Sequence, residues 1–107
     1  MERKVIYRQD VKFFLNELID ILFENEFFGF KNDAKNYVLE IITYINNHNF
    51  KTGVRESPVV LRRFGQKFIK YKANPQTTWY IFFDHKDGKY LVNHILNNHS
   101  KDFPELL

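Results

Sequence analysis

The chain has 107 residues, 44% hydrophobic and 27% charged, which suits one globular domain with one core and excludes a disordered tail. It has no cysteine, so a disulfide scaffold, a thiolate zinc site and a thiol nucleophile are excluded, and its four histidines lack metal-ligand spacing. The net charge of +3 is uneven: residues 1–56 carry eight Lys/Arg against nine Asp/Glu, and residues 57–107 carry eight against four.

The opening "MERKVIYRQD" holds no apolar run long enough for a signal peptide, and nothing in the chain approaches a membrane span. A cytoplasmic protein with no membrane partner is the expectation. Within that opening, "KVIYR" is a possible short first strand. In "DVKFFLNELIDILFENE", Val11, Phe14, Leu15, Leu18 and Leu22 recur at helical spacing behind Asp10, placed as an N-cap. Gly29 in "FFGFKN" supplies a stop, and Asp33 is placed to cap a second helix, "AKNYVLEIITYINNHN". There Ala34, Val38, Ile41 and Ile45 form one stripe, with Tyr37 and Tyr44 beside it. Two amphipathic helices over about residues 10–48 predict an antiparallel hairpin, and their stripes hold more than one partner helix needs, so a sheet is expected beneath.

The second half, about residues 66–100, reads as a β-meander. "KFIKYK" alternates, with Ile69 and Tyr71 on one face and Phe68, Lys70 and Lys72 on the other. "NPQT" is a turn by composition, and "TWYIFF" is apolar on both faces, as a central strand is. "DHKDGK" carries the Asp-Gly signal of a hairpin, and "YLVNHILNNH" returns antiparallel. Trp79 and Phe83 share a face with Ile81 and read as core; His94, alternating with Val92 and Leu96, reads as a half-buried histidine. The tail "DFPELL" is expected to fold back. The class is therefore α+β: a helical hairpin packed on a small twisted antiparallel sheet, in one domain. Its uncovered face carries Lys70 and Lys72, because burying two unpaired ammonium groups is costly.

Between Glu56 and Asp84 there is no acid, while Arg62, Arg63, Lys67, Lys70 and Lys72 fall within eleven residues. A solvated charged face accounts for such a run, and so does an anion-binding surface, with nucleic acid the obvious partner. The last strand ends in Asn97, Asn98 and His99, three side chains able to handle hydrogen bonds and, at His99, a proton. No glycine-rich phosphate loop and no serine–histidine–aspartate spacing is present, and no cofactor is expected.

A helical hairpin followed by "LRRFGQKFIKYK" and "TWYIFFDHKDGKYLVNHILNNHS" resembles the RelE/ParE superfamily of toxins from type II toxin–antitoxin systems, over nearly the whole chain. The resemblance implies either an endoribonuclease acting on messenger RNA, often on the ribosome, or a gyrase-directed binding protein. In both branches an antitoxin segment wraps the toxin. Lys70 and Lys72 stand where the RelE branch places basic residues. Trp79 and Tyr80 stand where it has an aromatic residue followed by arginine, and Asn98 and His99 where many members end in basic residues. For metal-independent cleavage the resemblance then implies His99 as acid or base and Lys70 and Lys72 as the phosphate clamp. Tyr80 would stack a base or donate a proton, with Arg62, Arg63, Lys67, Asn97 and Asn98 contacting RNA. The tyrosine in place of arginine favours the alternative, a non-enzymatic binding module of the same fold.

Overall fold

The computed structural model describes residues 4–24, 31–100 and 103–106. Strand β1 (Lys4–Tyr7) leads into helices α1 (Gln9–Glu24) and α2 (Lys31–Asn47). The rest is strands β2 (Arg55–Glu56), β3 (Lys67–Asn74), β4 (Thr77–Lys86) and β5 (Lys89–Asn97). Short 3-10 helices at Val59–Leu61 (η1) and Phe103–Leu106 (η2) complete it. The fold is α+β: two helices packed against a five-stranded sheet in the order β1-β5-β4-β3-β2. No helix among the described residues is long and apolar enough to cross a membrane.

The helices begin earlier than their acids suggested. Arg8 offers its C=O to the N–H groups of Val11 and Lys12, so Asp10 lies inside the first turn of α1, and Asp33 likewise inside that of α2. Both carboxylates still favour the helix, because the exposed N–H groups of a first turn attract negative charge. The stop assigned to Gly29 lies outside the described residues. Along α1, Lys12, Leu15 and Asn16 border Ile42, while Ile19 reaches Lys35 and Val38, which is an antiparallel arrangement.

The main core lies between helices and sheet. Val11, Leu15, Leu18, Val38, Ile41 and Ile45 meet Ile69, Trp79, Ile81, Phe83, Val92 and Ile95 there. Polar tips in this layer are paired: the Trp79 indole N–H donates to Tyr37 Oη at 2.9 Å, and Tyr44 O–H donates to the C=O of Lys70 at 2.6 Å. Tyr7 O–H donates to Asn46 Oδ1 at 2.6 Å, and burial pushes the Tyr7 pKa up to about 12.

The sheet is wider than the expected meander, and it is mixed. β1 runs parallel to β5, and two residues of β2 extend the edge beside β3. Strand β5 is also not a plain alternation. A bulge between the pairs Phe82↔His94 and Phe83↔Val92 inserts Asn93, which turns Val92 toward the helices and His94 to the opposite face. Asn93 reaches back across the bulge and donates to Asp84 Oδ2 at 2.6 Å, while Asp84 Oδ1 accepts from the N–H of Gln66 at 2.9 Å.

The face away from the helices is only partly open, a correction to the sequence reading. Leu61, Phe68, Phe82 and Leu96 are buried in a second small core, with Phe64 and Tyr80 packed against it. The η1 segment forms its lid, and Gly65 lets that lid close. A Cβ at Gly65 would meet the Phe83 backbone N at 2.8 Å, and its φ of +153° disfavours other residues. The tail folds back as expected, placing Phe103 against Tyr80 with ring centroids 5.5 Å apart.

Candidate nucleic-acid interface

Cross-strand register decides which sequence-selected residues meet. Lys70 pairs with Tyr80 and Lys72 with Thr78, so two exposed ammonium groups, a phenol and a hydroxyl form two adjacent rows on the non-helical face. Thr78 carried no signal of its own in the sequence; only the register brings it in. Lys67 pairs with Phe83, a main-core residue, and so belongs to the opposite face from Lys70 and Lys72. The five-cation run is therefore not one surface. Arg62 and Arg63 follow η1 rather than lying on β3, and both are exposed.

Tyr80 sits at the border between core and open surface. Its ring meets Phe68 at 6.0 Å and Phe103 at 5.5 Å, and burial raises its pKa above the ordinary tyrosine value, so the phenol stays protonated at neutral pH. It can donate a hydrogen bond or offer a ring face. A proton acceptor at neutral pH it is not.

The polar cluster ending β5 divides into two roles. Asn98 is a structural clamp: its Oδ1 accepts from the Thr78 N–H at 3.0 Å, and its Nδ2 donates to the Gln76 C=O at 2.9 Å. Asn97 caps the following turn, accepting the His99 N–H at 2.8 Å on Oδ1, while its own N–H donates to Ser100 Oγ at 3.0 Å. The His99 ring is exposed, with Nε2 3.4 Å from Thr77 Oγ1. It stands at the strand end, one residue beyond Asn98 and beside Thr77, whose side chain alternates with that of Thr78 and belongs to the side of Trp79.

A second constellation escaped sequence reasoning. Arg63 lies over Phe64, its guanidinium 4.4 Å from the ring centroid, and it donates from an Nη to the C=O of Val60. The other partner of Phe64 is His94, nearly parallel at 14° with centroids 3.9 Å apart. "RRFG" is too short to show a period, and the bulge that turns His94 to this face leaves no trace in the residue pattern. Only the arginine–phenylalanine neighbours, a pair able to make a cation–π contact, hinted at it.

These features define an α+β protein with two helices on one face of a five-stranded mixed sheet, cations and aromatic rings on the other, and an exposed histidine at a strand end. No family model matches the chain, and no curated protein or solved structure matches it.

Proposed function

We propose that this chain is a toxin of the RelE/ParE type that binds messenger RNA on the non-helical face of its sheet and cleaves it without a metal ion, a cognate antitoxin being its protein partner. The observation that carries this reading is the paired rows Lys70–Tyr80 and Lys72–Thr78, with His99 at the adjoining strand end beside Thr77. Metal-independent cleavage of RNA through its 2′-hydroxyl requires a cation for the phosphorane charge and a group that exchanges a proton with the 2′- or 5′-oxygen. Lys70 and Lys72 supply the first. His99 supplies the second, while Tyr80, protonated, donates to a phosphate oxygen or stacks on a base. Asn97 and Asn98 act indirectly, by holding the turn that presents His99. The order of one strand, a helical pair and an aromatic-centred meander supports the family resemblance.

The competing reading is a binding module that cleaves nothing. It is favoured by Tyr80 in the place of an arginine and by the full engagement of the Asn98 amide in structural bonds. Incubation of purified protein with messenger RNA, with and without ribosomes, separates the two. Under the first reading His99→Ala lowers cleavage about 10²–10⁴-fold, the usual effect of losing a general acid or base. Lys70→Gln with Lys72→Gln flattens the salt dependence of RNA binding by about two contacts. RNA binding with that salt dependence but no cleavage under either condition transfers the conclusion to the binding module. An unchanged salt slope in the double variant removes this face from RNA recognition altogether.

A further inference from the structure

The pairing of β1 with β5 stops at Tyr7↔Val92, because the chain turns into α1 at Arg8. Beyond that point a cavity of about 700 Å³ opens at the sheet edge. Four consecutive residues of β5, Asn93 to Leu96, form its floor, so it faces the edge of the strand rather than either side of the sheet. One wall is the start of α1, with Arg8 and Phe14; the other is Arg63 and Phe64 from the lid over the second core.

The backbone of that floor offers one bonding position. The Asn98 N–H donates to the Thr78 C=O across the β4–β5 ladder. Counting back by two, Leu96 also faces β4, so Ile95 directs its N–H and C=O the other way, toward the cavity. The edge on either side is already closed. The Arg8 N–H caps the Val92 C=O at 2.9 Å, and Ser100 takes both the N–H and the C=O of Asn97. An added β-strand needs a run of alternating free groups, and Arg8 and Ser100 interrupt it on both sides. A compact group with one donor beside one acceptor fits.

From this the geometry points to a nucleotide site at the β5 edge, separate from the Lys70–Tyr80 rows: a nucleobase edge bonds the Ile95 N–H and C=O while its phosphate meets Arg8 and Arg63. A base carries an adjacent donor and acceptor on one edge, as uracil and guanine do, and a flat face for stacking. The outer plane of the Arg63 guanidinium, held over Phe64 and tied to Val60, is a prepared stacking surface, and Phe14 borders the opposite wall. The one carboxylate among the described residues lining the cavity, Asp10, sits 3.8 Å from Arg8 in an exposed and therefore weak pair that a phosphate can replace. The volume lies within the range of small-ligand sites, roughly 300–1,000 Å³. The choice of a nucleotide rests on the RNA reading above; the cavity, its cations and its single backbone position do not.

Nuclear magnetic resonance titration of the whole chain with uridine 5′-monophosphate, guanosine 5′-monophosphate, inorganic phosphate and an extended acidic peptide tests the assignment. At least one nucleotide should shift the Ile95 amide and the Arg63 side chain. It should also change the emission of the single tryptophan, Trp79, whose ring is 6.2 Å from Phe14. Arg63→Gln should weaken that binding about 10-fold or more, the effect of losing one charge-assisted bond, while Lys70→Gln with Lys72→Gln leaves it unchanged. Nucleotide binding by a chain that cleaves no RNA would retain this site and discard the ribonuclease. The assignment is overturned by inorganic phosphate binding as tightly as either nucleotide, by shifts confined to the Lys70–Tyr80 rows, by the peptide alone occupying the cavity, or by no binding.

Discussion

Ile81 and Phe82 are neighbours on β4 and both are wholly buried, yet they belong to different cores. Ile81 faces two helices whose apolar stripes cover that side from β5 to β3. Phe82 belongs to a patch of four buried residues closed by a single 3-10 turn, and beyond that patch the same face opens to Lys70, Lys72 and Tyr80. The main core is built from long periodic elements, and the small one from a loop held by local chemistry. The difference separates labour: the helical side stabilises the sheet, and the other side needs only enough burial to stiffen the proposed RNA surface.

The largest effects should come from emptying either core. Ile41→Ala should cost about 2–5 kcal/mol and Phe82→Ala about 3–5 kcal/mol in urea unfolding, because both side chains have no exposed surface. An unchanged unfolding midpoint for Phe82→Ala would mean that the second core contributes nothing and that the two faces differ in kind. Next comes Gly65→Ala. Its Cβ would press into the β4 backbone, so the lid must lift and the protein should lose about 1–3 kcal/mol. Hydrogen exchange should then quicken at Phe64 and Phe68 and stay slow in α2.

Alkaline titration sharpens the contrast further. Burial raises the pKa of Tyr7, to about 12, and also those of Tyr44, Tyr71 and Tyr80; for Tyr71 the Glu40 carboxylate and Tyr37 add to burial. Unfolded tyrosines ionise near their ordinary value of 10 while the folded Tyr7 resists, so its contribution to stability is intact below pH 10. It falls as pH rises from about 10 toward about 12. Tyr7→Phe should blunt that loss in thermal melts taken across this interval. The smallest effect belongs to Lys70→Gln with Lys72→Gln, whose stability should stay within about 0.5 kcal/mol of the parent, since exposed cations on an open face hold nothing together. A marked change in urea unfolding would make those lysines structural and move the functional surface elsewhere.

Sequence periodicity carried the helical side well. The α1 and α2 stripes, the alternation of Ile69 with Lys70 and the two-faced β4 all follow from where apolar residues fall. What it missed has physical causes. The short strand expected in "KVIYR" is present, but its parallel pairing with β5 depends on contacts far apart in the chain, which four residues cannot signal. The Asn93 bulge changes the face of His94 without changing any residue type, so simple alternation wrongly set it with Val92. The lid residues Leu61 and Phe64 lie in an aperiodic stretch whose only marker was Gly65. At the site, the phase of two rightly grouped Lys70 with Lys72 and would equally have separated Lys67 from them. The engagement of Asn98 by Thr78 and Gln76 depends on a turn whose geometry composition does not specify.

The pairing of β1 with β5 also orders events during synthesis. Strand β1 waits for β5, made later than every other strand of this sheet, since Lys4 aligns with Lys89 and Tyr7 with Val92. Until then α1 lacks β5, one of the surfaces it packs on, and the nascent chain carries bare apolar helices. A chain stalled or truncated before residue 89 therefore lacks β5 and leaves β1 with no strand to pair with, so an incomplete product is unstable. If the folded protein attacks messenger RNA, this pairing delays activity until β5 has been made.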